Sequence, residues 1–142
     1  MLLAFILTVI GAIAAVVATF LSAADISVEF PIAGNTLVQH ADGAIIIGLA
    51  LLATLFAGIP AFSQKPNLNS LIPVFLCGGV IIAIAVMYGT NLPIEPNNRL
   101  SAAILERNPP TAGAGVWAAA IGGALIVVAS IFGIATGKDG SD

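Results

Sequence analysis

Four stretches of this chain carry no Asp, Glu, Lys, Arg or His, and each is about as long as a bilayer is thick: residues 2–24, 43–62, 71–88 and 114–136. At about 1.5 Å rise per residue, roughly 20 helical residues cross a hydrocarbon core of about 30 Å. Backbone amides find no water there, so long apolar segments satisfy their hydrogen bonds internally as helices. The expectation is an all-α fold: an integral membrane four-helix bundle forming one transmembrane domain.

Local signals set the expected ends. Asp42 stands where an N-cap of the second span would lie, and Pro60 falls near that span's end. Ser70 is placed to cap the third span, with Pro73 in the first turn, where amides have no intrahelical acceptor. Gly137 is the expected terminator of the fourth. Ser22 and Ala24 would suit a signal-peptide cleavage site, but the first stretch lacks a basic n-region and is long for an h-region, so it is expected to be retained as a span.

Composition supports the same solvent. The 142 residues are 59% hydrophobic and only 8% charged, with a mean hydropathy of +1.11, far from the range of water-soluble domains. Seven acids against four Lys and Arg give a net charge of -3, so no basic surface exists for nucleic acid. Cys77 has no second cysteine to pair with and reads as a packing residue.

An even number of spans puts both termini on one side. Lys65 and Lys138 then share that side while Arg99 and Arg107 share the other, which nearly balances the positive-inside rule; the short Lys-bearing loop at residues 63–69 favours cytoplasmic termini. Tyr88 and Trp117 flank the second long loop at the depth amphipathic aromatics prefer.

The two halves share a pattern. Pro31-Ile32 is followed by Asn35, four residues after the Pro, and Pro93-Ile94 by Asn97; Ala53-Thr54-Leu55-Phe56 resembles Ala129-Ser130-Ile131-Phe132. Two tandem transmembrane hairpins in parallel orientation would account for both matches, with an insertion in the second long loop. Within that insertion Leu100, Ala103 and Ile104 lie on one helical face, Asn98 can cap and Pro109-Pro110 would terminate, so residues 97–108 are expected to form a short amphipathic helix at the membrane surface.

Small residues recur at helical spacing in every span: Gly11 and Ala15, Ala44 and Gly48, Gly79 and Ala83, and Gly115, Ala119 and Gly123. In lipid, helices associate by close backbone approach, which small side chains permit, so these are the expected helix-packing positions.

No motif for chemistry accompanies this architecture. The spans lack the intramembrane charges that proton relays and coupled transporters use, and no phosphate cradle or HExxH-type zinc motif is present. Catalysis is not expected. His40, the only histidine, is the one candidate cofactor ligand, for a haem or chlorophyll at the membrane surface; a bis-His haem would need a second histidine, and an exposed interfacial role is the plainer reading. Asp25, Glu29 and Asp42 do not match a calcium loop in their spacing and read as a solvated face, so no metal site is expected.

Three functions remain. The first is a non-catalytic accessory or structural subunit of a larger membrane complex, for example an energy-transducing one, with other integral membrane subunits and lipid as partners. The second is a small oligomeric pore or facilitator lined by Thr8, Thr19, Thr54 and Ser130, although such hydroxyls often satisfy their own helix backbone. The third is a pigment or haem carrier using His40.

Overall fold

A computed structural model describes residues 2–20, 24–25, 41–63, 68–90, 111–112 and 114–139. They form four helices, α1 (Leu2–Ala18), α2 (Ala41–Phe62), α3 (Leu71–Thr90) and α4 (Ala114–Asp139), with a 3-10 turn at Leu68–Ser70. Two-residue strands β1 (Ala24–Asp25) and β2 (Thr111–Ala112) pair antiparallel, Ala24 opposite Ala112 and Asp25 opposite Thr111. Two stretches, Gly43–Phe62 and Ala114–Thr136, are long and apolar enough to cross a membrane; Leu2–Ala18 and Leu71–Met87 are shorter apolar helices.

Four helix limits differ from the sequence expectation, among them the end of α3, at Thr90 and not at residue 88. The first span does not run to residue 24: α1 stops at Ala18, where Thr19 and Phe20 donate their amides to Val16 and Val17 carbonyls three residues back, at 3.1 and 3.0 Å. The Thr19 hydroxyl adds a 2.7 Å bond to the Val16 carbonyl, so the last turn tightens and consumes the acceptors a longer helix would use. Asp42 is the second residue of α2 and not its N-cap. Gly137 lies inside α4, which continues to Asp139. The proposed 97–108 helix and the Pro-Ile segments lie outside the described residues.

Successive helices form a ring. α1 packs on α2, α2 on α3, α3 on α4, and α4 closes back on α1, while the diagonal pairs barely touch. Antiparallel order follows from the residues that meet: Phe5 lies against Gly58 in α2, Leu71 against Gly133 in α4, and Gly11 against Gly122 with Ala4 near Gly133. The start of α1 and the later turns of α4 therefore share one end of the bundle, and the β1–β2 pair stitches the other.

The ring is uneven. α4 makes much the more extensive contacts with both its neighbours, and α2 the less extensive. A Cβ placed on Gly122 would sit 2.7 Å from both the Gly11 carbonyl oxygen and the Ala15 amide; one on Gly123 would sit 2.9 Å from the Gly78 carbonyl oxygen. Adjacent glycines thus serve different neighbours, Gly122 admitting α1 and Gly123 admitting α3, because successive helical residues point about 100° apart.

Within the matched quartets Ala53 and Ala129 are fully buried while Leu55 and Ile131 face out; Thr54 is half-buried where Ser130 is buried, and Phe56 half-buried where Phe132 is exposed.

Gly122→Ala and Gly123→Ala each force a methyl group against a neighbouring helix and are expected to lower stability by about 1–3 kcal/mol. Gly48→Ala and Gly79→Ala meet open space, and are expected to be neutral or stabilising by up to about 1 kcal/mol through the better helix propensity of Ala. Unfolding midpoints in detergent check the ranking; equal losses at all four positions would refute it.

Candidate interaction surfaces

α1, α2 and α4 bury mainly small residues, α3 buries chiefly larger ones, and all four turn many large apolar side chains outward. Ala15, Ala18, Ala53, Ala85, Ala119 and Ala129 are fully buried, whereas Leu51, Leu55, Phe62, Leu76, Ile121 and Val128 are more than half exposed. The larger side chains Ile46, Leu71, Val74, Ile81 and Ile126 are also fully buried or nearly so. Folding in water concentrates the large apolar side chains inside, because their burial contributes most. Here size and not polarity separates inside from outside.

The expected packing positions divide into two groups. Gly11, Ala15, Gly115, Ala119 and Gly123 are buried, all on α1 and α4. Ala44, Gly48, Gly79 and Ala83 are not: Ala44, Gly79 and Ala83 are exposed, Gly48 is half-buried, and a Cβ on either glycine would meet nothing within 4 Å. Ala44, Gly79 and Ala83 thus face outward from α2 and α3 among the described residues, with Gly48 at the edge of the outer face. Gly78, Gly122 and Gly133 are the close-approach positions that spacing alone did not select; a Cβ on Gly78 would lie 2.8 Å from a Val127 methyl, and one on Gly133 2.9 Å from Leu71. The paired glycines Gly78-Gly79 and Gly122-Gly123 were the available signal, but a doublet does not reveal which member faces the neighbour.

Polar groups in the helices are satisfied locally. Thr8 donates its hydroxyl to the Ala4 carbonyl at 2.8 Å, Thr54 to Ala50 at 2.9 Å, Ser130 to Val127 at 2.7 Å and Thr136 to Phe132 at 2.9 Å. With Thr19 bonded to Val16, every hydroxyl expected to line a pore is engaged with its own helix, and Thr8, Thr19 and Ser130 are buried as well. Among the described residues no buried side-chain nitrogen or oxygen lacks a partner, and no group of three or more His, Cys, Asp or Glu side chains gathers to hold a metal. His40 lies outside the described residues. Cys77 is buried in α3.

One seam is left partly open. Along the outer side of the α1–α2 contact runs a groove of about 270 Å³ lined by Val9, Ala12, Ile13, Val16, Val17, Ala50, Leu51 and Thr54. A second groove of about 400 Å³, lined by Phe5, Thr54, Leu55, Gly58, Ile59 and Phe62, meets it at Thr54. The floor is made of small residues, with Ala12 and Ala50 buried, while Ile13, Val17, Leu51 and Leu55 stand exposed as rims. At the far end Phe5 and Phe62 meet edge to face, ring centroids 5.1 Å apart at 73°.

No protein-family model, curated protein or solved structure matches the chain.

Edge-to-face pairing of this kind contributes about 0.5–1.5 kcal/mol beyond area burial. A double-mutant cycle with Phe5→Leu and Phe62→Leu is expected to return a coupling in that range, measured by unfolding in detergent. Additive single losses would mean that the two rings act independently.

Proposed function

We propose that the chain is an integral membrane protein of four spans whose role is contact: a non-catalytic accessory or structural subunit that docks through its outer helix faces to other integral membrane subunits. The observation that carries this reading is the apolar exterior: Leu, Ile, Val and Phe stand exposed on all four helices, while α1, α2 and α4 place mainly small side chains between them. Such a surface is costly in water, since soluble monomers rarely expose contiguous apolar patches beyond a few hundred Å². In lipid it costs nothing, because acyl tails are as apolar as leucine and association is driven by close packing.

Helix lengths are compatible with this placement. The 22 residues of α2 and 26 of α4 reach about 33 and 39 Å, and the 17 and 20 of α1 and α3 about 26 and 30 Å. A short α1 is accommodated by its position beside longer neighbours and by small local adjustments of bilayer thickness. Trp117, 63% exposed near the start of α4, and Phe20, 61% exposed just after α1, lie at the same end of the bundle and suit an interfacial belt there. Cytoplasmic termini are the orientation this reading adopts, on the strength of Lys65 and Lys138.

Docking rather than conduction is favoured by the hydroxyls, which are committed to their own backbones and offer a pore no polar wall. The outward small residues Ala44 and Gly48 on α2 and Gly79 and Ala83 on α3 are the positions at which another subunit's helix can approach most closely.

Two measurements test this in sequence. Fluorescence of the single Trp117 in vesicles of brominated phosphatidylcholine is expected to be quenched, more strongly by bromines near the headgroup than near the chain end; an unquenched spectrum would place the protein outside the bilayer. Cross-linking in native membranes followed by native electrophoresis is expected to give a large hetero-complex, weakened several-fold by Gly79→Leu with the fold intact. A homo-oligomer, or turnover by the purified chain alone, would overturn the accessory role.

A further inference from the structure

We draw no further inference here: the strongest candidate, the apolar groove along the α1–α2 seam between Ile13 and Leu51, carries nothing because nothing in the structure shows what covers it.

Discussion

Backbone-to-backbone contact at two glycine pairs, Gly11 with Gly122 and Gly78 with Gly123, is the constraint on which the bundle depends. Each glycine faces a carbonyl oxygen of its partner at a distance that excludes a Cβ. This approach lets the flanking atoms of both helices reach dispersion range. Because Gly122 and Gly123 are neighbours in sequence, one turn of α4 fixes the distance to both α1 and α3. The remaining positions of the ring follow: α1 and α3 are held apart across α4, and α2 closes the gap between them with alanines and Ile46.

The four helices were legible in the sequence because each falls in a long apolar stretch bounded by charged loops. Their packing faces were not. A helix in water declares its inner face through polarity, whereas here both faces are apolar, and only the size of the side chains differs between them. Small residues occur on several faces of each span, so helical spacing alone picks Gly79 and Ala83 as readily as Gly78, which lies a rotation of about 100° away. The end of α1 was misjudged for a related reason: hydropathy continues past Ala18, but the Thr19 hydroxyl and two i−3 hydrogen bonds end the helix regardless of how apolar the following residues are. The β1–β2 pair had no sequence signal, since two paired residues from distant loops leave no periodicity.

Hydroxyl groups mark a second economy in the structure. A threonine or serine in an apolar helix is tolerated when it donates back to a carbonyl three or four residues earlier, which Thr8, Thr19, Thr54, Ser130 and Thr136 all do. None of these bonds links two helices. Interhelical hydrogen bonding is therefore absent from this set, and association rests on shape. A bundle held by shape has sharply local sensitivity: a single methyl group matters where backbones touch and is immaterial a turn away.

Unequal packing of α2 and α4 then gives the bundle two different sides. Around α4, glycine opposite carbonyl brings backbones together at Gly122 with α1 and at Gly123 with α3. Along α1–α2 the floor is also made of small residues, yet a Cβ on Gly58 would meet only side chains, the Phe5 and Phe62 rings at 3.6 Å or more. Small residues therefore do opposite things in the two places. Where a neighbour's backbone fills the notch they draw helices together, and where large rims such as Leu51 and Ile13 flank it they leave a crevice. α4 meets both its neighbours at backbone contact, and α2 leaves its seam with α1 partly open.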